Sequence, residues 1–415
     1  MTPRVAVTGV GAVGAFGTGS DALAAALAGH APAPAAVDRS AGYHRPGGAR
    51  RARLAVGVDL SALVPPAQAR RMSPPARFAM AATRLALAEA GLAGLPAGGH
   101  ARTAIVAGTA FGPAQVTEQL LRQIFGQGPE AASPALFTES VASASSSHIA
   151  LALGARGPNL AITQREASDL LALAEGVRLV ATGAAERAVI VVVEEMIPLL
   201  HAVLDRFRAL ALPGADGEEV ARPFDRRRSG VVGAEGAAAL VLEPEAAAEE
   251  RGARALATVA ATVRGFDPSA PAWDWGEGDA GLARRLARGL ARAGVAAGSL
   301  DLVVSGASGA RRGDRLEAAV LGRLFGGAPP AVTAPKGALG EYGGGLLAAA
   351  VLVAAGRALA PTLGFAEADP ALGLSPVVAG PLARPRRLLV SALASGGAAA
   401  WAVLDAVEPR PARAV

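Results

Sequence analysis

Cysteine is absent from this 415-residue chain. That excludes disulfides, thiolate metal sites and catalysis by a thiol. Lysine is almost absent: Lys336 is the only one, so arginine carries the formal charge of +5. Aromatic residues make up 4% and charged residues 18%, against 52% hydrophobic residues and 52 glycines. Scattered arginines with few rings to stack bases argue against nucleic acid as a partner. The cluster Arg50-Arg51-Ala52-Arg53 lies in a Gly/Pro-rich stretch and reads as a solvated loop. A weakly basic surface equally suits an acidic protein partner. No apolar run reaches the roughly 20 residues of a membrane span. The longest, 343–356, is rich in Gly and Ala and reads as a packed internal helix. With no secretory leader legible, a cytoplasmic protein making no membrane contact is expected.

What is present is an alternation of strands and helices. Strands read near 4–9, 103–109, 159–163, 188–194 and 237–243, then near 256–265, 300–305, 331–335, 387–393 and 399–405. Ala-rich helices read at 77–90, 168–182, 281–293, 315–324 and 344–359. The pattern predicts an α/β fold with largely parallel sheets covered by helices. "GAEGAAALVL" (233–242) resembles "ASGGAAAWAVL" (394–404), each closing one series of strands. Two related halves are expected, 1–250 and 251–415.

Two motifs offer chemistry. Gly9-Val10-Gly11-Ala12-Val13-Gly14 matches the dinucleotide fingerprint G-x-G-x-x-G after a strand. No second strand ending in an acid follows about 20 residues on, so nucleotide binding is not expected and no cofactor is assigned. The second is "GPNLAITQREASDLLALAEGVRLVATG" (157–183): a short strand, a polar turn, then a helix with Leu170, Leu173, Ala174 and Val177 on one face. Such turns expose a nucleophile at a helix N-terminus. Here the turn carries Glu166.

In order, "RVAVTGVGAVGAFG", "RMSPPARFAMAATRLALAEAGL", "GPNLAIT", "RPFDRRRSGVVGAEGAAALVLE" and "APKGALGEYGGGLLAAA" resemble the β-ketoacyl-acyl carrier protein synthases, the condensing enzymes of thiolase fold. The resemblance runs from about residue 3 to 405. It implies a thiolase-like five-layered αβαβα fold built from two βαβαβαββ halves. It breaks at the chemistry. The family's nucleophilic cysteine falls at Glu166, and its first histidine, anchored on Asp314 and Glu317, at Gly306. In "KGALGE" the lysine is kept as Lys336, but the second histidine is Glu341. The Gly-Phe-Gly-Gly segment reads Ala394-Ser395-Gly396-Gly397. All five histidines, His30, His44, His100, His148 and His201, lie in the first half, so none in the second can have been displaced.

Without the thiolate and two imidazoles, condensation is not expected of this chain alone. The degenerate pattern is similar to the chain length factors, the ketosynthase-β subunits of type II polyketide synthases. That resemblance implies an active ketosynthase as heterodimer partner, acyl carrier protein as a second partner, and a tunnel at the dimer interface. It also implies pairing through the strand 159–163. A helix after strand 103–109 limits chain length in that group, and Ala114, Thr117 and Leu121 are the matching positions. Phe111, Phe125 and Phe137 read as core or interface. Two alternatives stay open: a malonyl-acyl carrier protein decarboxylase that primes synthesis, and a stand-alone thiolase-fold scaffold. For Glu166 the expectation is either a pair with Lys336 or no specific partner, with Glu341 an alternative partner for the lysine. No metal site is expected.

Overall fold

The computed structural model describes residues 3–214, 217–378 and 384–407. The first half supplies strands β1 (Val5–Gly14), β2 (Thr103–Gly108), β3 (Asn159–Ile162), β4 (Arg187–Glu194) and β5 (Gly236–Pro244). Its helices are α1 (Pro74–Glu89), α2 (Ala114–Gln127), α3 (Pro134–Ser140), α4 (Ala144–Leu153), α5 (Ser168–Ala181) and α6 (Pro198–Arg206). The second half supplies β6 (Ala257–Phe266), β7 (Leu302–Ser305), β8 (Ala331–Thr333), β9 (Arg387–Leu393) and β10 (Ala398–Ala406). Its helices are α7 (Asp279–Arg292), α8 (Arg311–Leu324) and α9 (Gly345–Ala354).

The strands join in the order β8-β7-β9-β10-β6-β1-β5-β4-β2-β3. Read outward from the centre, each half repeats one order, with β1, β5, β4, β2, β3 matching β6, β10, β9, β7, β8. The two similar sequence segments end in β5 and β10, the same place in each series. The halves meet where β1 pairs briefly with β6, Val5–Val7 against Ala257–Val259. Buried α5 and α9 fill the space between the halves and touch strands of both. Helix α1 covers the outer face of the first half, and α7 and α8 that of the second. The result is five layers, αβαβα.

Three local readings differ from what the sequence suggested. Pairing is mixed rather than largely parallel: β4–β5, β1–β5, β9–β10 and β6–β10 are antiparallel. Helix α6, between the antiparallel strands β4 and β5, packs off the sheet, with Leu200 and Leu204 against Met196, Leu210 and Val231. Strand β1 runs on through the glycine motif to Gly14 instead of stopping at 9. A Cβ on Gly9 would lie 2.1 Å from the Ala86 carbonyl oxygen, and one on Gly11 2.1 Å from that of Ala82. These glycines let α1 press on the strand, and no phosphate loop exists there. Finally, the Arg50–Arg53 stretch is folded: Arg51–Ala52 pairs with Ala35–Ala36, and Glu219 accepts the backbone N–H groups of Arg50 and Arg51.

The apolar run is as read: all ten residues of α9 are buried. Among the described residues no helix is long and apolar enough to cross a membrane. At the far end of the sheet, β3 is an edge strand with Asn159 and Leu160 exposed. An uncovered edge presents backbone donors and acceptors that invite a further strand.

Candidate functional site

The turn after β3 is as sharp as its sequence implies. Arg165 takes a left-handed φ of 48°, rare for a side chain of this size. A short 3₁₀ turn, Arg165–Ala167, then leads into α5. The Ser168 hydroxyl accepts from Gln164 N at 2.8 Å and donates to the Thr109 carbonyl at 3.0 Å, tying the turn to the end of β2. The turn delivers Glu166 to the interior, 7% exposed.

Glu166 does not form the direct pair with Lys336. Its Oε1 accepts from the Tyr342 hydroxyl at 2.8 Å, and its Oε2 from Ser395 N at 3.0 Å and Ser395 Oγ at 3.1 Å. Arg165 in turn donates to Ser395 Oγ at 2.9 Å. Lys336, at the start of a short helix, instead donates to Glu341, and both side chains are buried. The lysine's alternative partner is thus the one it takes. The reason is reach: Glu341 follows Lys336 by five positions across one tight turn, whereas the Glu166 oxygens are already taken by Tyr342 and Ser395.

Electrostatics match this partition. Burial raises the pKa of Glu166, and the neighbouring Glu341 raises it further, against the opposing bonds and Lys336. Burial likewise lifts Asp169, one helix step on, to about 6 despite Lys336. For Lys336 burial works to lower the pKa, but Glu341, Asp169 and Glu166 together outweigh it and hold the ammonium charged. One cation thus faces three buried carboxyl groups, and burial favours protonating those it does not satisfy.

Gly306 follows β7, and a Cβ there would lie 2.7 Å from the Ser391 backbone oxygen. The backbone has closed over the place where an imidazole would stand. Beside it, Asp314 accepts from Phe224 N, Ser308 N and Gly309 N, while Glu317 accepts from Ser305 Oγ at 3.1 Å. Burial pushes these two carboxyls to about 6 and about 7.

Glu166, Lys336, Gly306 and Glu341 therefore converge. What remains between them is a cavity of about 30 Å³ lined by Arg165, Glu166, Asp169, Lys336, Glu341 and Tyr342. A second, of about 10 Å³, lies between Glu166, Gly306, Glu317 and Trp275. Roughly 10–15 Å³ holds one water, whereas ligand pockets occupy roughly 300–1,000 Å³. Among the described residues no group of three or more His, Cys, Asp or Glu is placed to hold a metal ion.

This architecture is that of a known family. A model of the β-ketoacyl synthase N-terminal domain matches residues 2–248, and one of the C-terminal domain matches residues 267–365. The chain belongs to the β-ketoacyl synthase family. It is 32% identical over 361 residues to a putative polyketide β-ketoacyl synthase 2 of Streptomyces halstedii, covering 86% of this chain and 84% of the relative. It is 32% identical over 317 residues to the actinorhodin polyketide putative β-ketoacyl synthase 2 of Streptomyces coelicolor, covering 74% and 76%. The solved ishigamide ketosynthase/chain length factor superposes with a TM-score of 0.83 at 27% identity, over 98% of this chain and all of that one.

In this member of the family the helix after β2 does not serve the core with the residues singled out from sequence. Val116 and Leu120 are its buried side chains. Ala114 is half-buried and packs on the cluster that also holds Phe111 and Tyr342. Thr117 is half-buried, its hydroxyl spent on the Pro113 carbonyl at 2.8 Å, and Leu121 is 42% exposed. Around them Phe125, Phe137, Val141, Leu151 and Leu160 stand exposed. Phe125 and Phe137 are therefore not core.

Sequence reasoning missed Tyr342, Asp169 and the Glu194-Glu195 pair. The signals existed. Tyr342 is one of two tyrosines in the chain and is followed by three glycines; two consecutive glutamates stand at the end of a largely apolar strand. Glu194 accepts from Thr109 Oγ1 at 2.7 Å and from Ala110 N, and Glu195 accepts from Gln115 N at 2.8 Å. Together they anchor the turn into α2. Burial drives their pKa values to about 8 and about 7.

Proposed function

We propose that this chain is the non-catalytic subunit of a type II polyketide β-ketoacyl synthase. It pairs through β3 and the exposed face of α2, α3 and α4 with an active ketosynthase, and it shapes the tunnel in which the partner extends an acyl chain delivered on acyl carrier protein. The observation that carries this reading is the state of the three reactive positions. Glu166, Gly306 and Glu341 sit locked among Tyr342, Ser395 and Lys336, around cavities with room for no more than a few waters. A carboxylate in that setting forms no thioester by transacylation, and no imidazole stands ready to stabilise an enolate. Ala114, Thr117 and Leu121 line the far end of the tunnel in this reading.

The test is reconstitution. Alone, the protein should take no acyl group from carrier protein and release no CO₂ from malonyl-carrier protein. Coexpressed with a ketosynthase bearing Cys, His and His, it should copurify at 1:1 and turn over. Malonyl decarboxylation by the lone chain, abolished by Glu166→Ala, would favour a priming enzyme. A stable monomer that ignores the ketosynthase would favour a scaffold.

A further inference from the structure

The residue between the closed interior and the open face is Tyr342, and its backbone is under strain. It has φ 77°, in the left-handed region, between Gly340 at φ 80° and Gly344 at φ 72°. A bulky aromatic residue rarely adopts that conformation and persists there only where its surroundings over-determine it. The surroundings do so at both ends. The hydroxyl donates to Glu166 at 2.8 Å. The ring meets Phe111 edge to face, with centroids 4.9 Å apart and planes at 69°. The backbone on either side is seated tightly: a Cβ at Gly344 would lie 2.9 Å from the Val192 oxygen, and one at Gly340 2.8 Å from the Val232 oxygen.

Phe111 is held as firmly. It lies in the turn that Glu194 and Glu195 anchor, three residues before Ala114. Tyr342, Phe111 and Ala114 all pack on the same apolar cluster and all keep some accessible surface. On the interior side Tyr342 lines the small cavity beside Glu166. The aromatic pair therefore separates the sealed reactive site from the face assigned to the tunnel.

We propose that Tyr342, clamped between Glu166 and Phe111, is the stopper at which an acyl chain entering this subunit ends, and so a specificity-determining residue for chain length. The inference rests on the tunnel reading above. The ring supplies the wall, the Glu166 bond fixes its orientation, and the left-handed backbone lets one residue reach both. Hydrocarbon meeting a fixed ring edge in a dry, packed wall cannot displace it without breaking that hydrogen bond and the ring contact.

The test uses the reconstituted complex with its ketosynthase and compares Tyr342→Gly with Tyr342→Phe. Glycine suits φ 77° and removes the wall, so folding strain is relieved rather than added. Phenylalanine keeps the wall and loses only the hydroxyl. Expected are products at least one two-carbon unit longer from Tyr342→Gly, unchanged maximal length from Tyr342→Phe, and a broader length distribution from Glu166→Ala. Phe111→Leu gives a second route to the same opening, and should lengthen products even if Tyr342→Gly fails to assemble. A merely structural role would lower yield and leave product mass alone, which would overturn the proposal. Failure of the wild-type pair to assemble, or an Ala114→Phe complex with unchanged product length, would instead overturn the tunnel reading and the stopper with it.

Discussion

The interior around Glu166 and the face around α2 are a few residues apart and opposite in kind. Around Glu166 the carboxyl groups are hydrogen-bonded, the cavities hold no more than a few waters, and one lysine is the cation the carboxyls share. Around α2, phenylalanines and leucines lie open beside an unpaired strand edge. The first region is closed within one chain; the second leaves apolar side chains and a strand edge uncovered. The difference teaches that the turn after β3 delivers its side chain into packed interior rather than into an open pocket. In the proposed reading, the interior is core and the partner is met at the edge.

The strongest way to break the closed region is to remove its cation. Lys336→Met strands the buried carboxyls of Glu341 and its neighbours, and should cost about 3–5 kcal/mol in urea unfolding. Replacing Lys336 and Glu341 together by apolar residues should recover most of that loss. An equal loss in the double variant would mean that packing, not charge pairing, dominates there.

Next in size is a pH effect. Glu194, Glu195 and Glu317 have folded pKa values raised to about 8, 7 and 7, so the folded state holds protons that the unfolded chain has released. Their stabilisation is full below the ordinary carboxyl range and is lost as pH rises through about 7–8. His201 has the opposite sign: burial first, then other charges, depress its pKa to about 4, so its contribution is full above the ordinary histidine range and is lost as pH falls through about 4. Stability should peak in mildly acidic solution. Between about pH 5 and 9 the Glu194 contribution should fall by on the order of 2–4 kcal/mol. Glu194→Gln should flatten the alkaline arm; an unchanged slope in that variant would rule Glu194 out as its source.

The open face should respond differently. Phe125→Glu with Phe137→Glu should leave unfolding of the isolated chain within about 0.5 kcal/mol of wild type, since both rings are exposed. The same pair should weaken binding to the ketosynthase about tenfold or more, roughly 1.4 kcal/mol, as read by titration. Equal binding would place the interface elsewhere.

The smallest effects come from conservative edits. Glu166→Gln keeps one acceptor for Tyr342 or Ser395 and should cost about 1 kcal/mol, near the net value of one hydrogen bond. Glu166→Cys should confer no condensing activity, because the Gly306 backbone leaves no place for a histidine side chain. Ala114→Phe should barely alter unfolding, yet shorten the product in an intact complex, as read by product mass.

Much of this molecule was legible in the chain. Hydrophobic runs of strand length located all ten principal strands, because burial of each strand's side chains needs only local pattern. The repeat in 233–242 and 394–404 foretold the matched strand order. The convergence of Glu166, Gly306, Lys336 and Glu341 was also foreseen, from ordered motifs and the distribution of five histidines. Strand direction was not, because the alternation of strands and helices does not record which way each strand runs beside its neighbour.

By itself, then, the sequence determined the layered α/β fold, the absence of a thiol and of any histidine beyond position 201, and the residues that replace them. Those are matters of composition, periodicity and order along the chain. Only the tertiary structure decided which carboxyl takes the lysine, that Tyr342 and Ser395 take Glu166, and that the backbone closes on Gly306. Only it decided that α2 buries Val116 and Leu120 while Ala114 and Thr117 are half-buried and Leu121 is exposed. The physical reason is that hydrogen bonds and close packing depend on separations of a few ångströms between residues far apart in the chain, 229 positions in the case of Glu166 and Ser395. Local propensity carries no record of such distances.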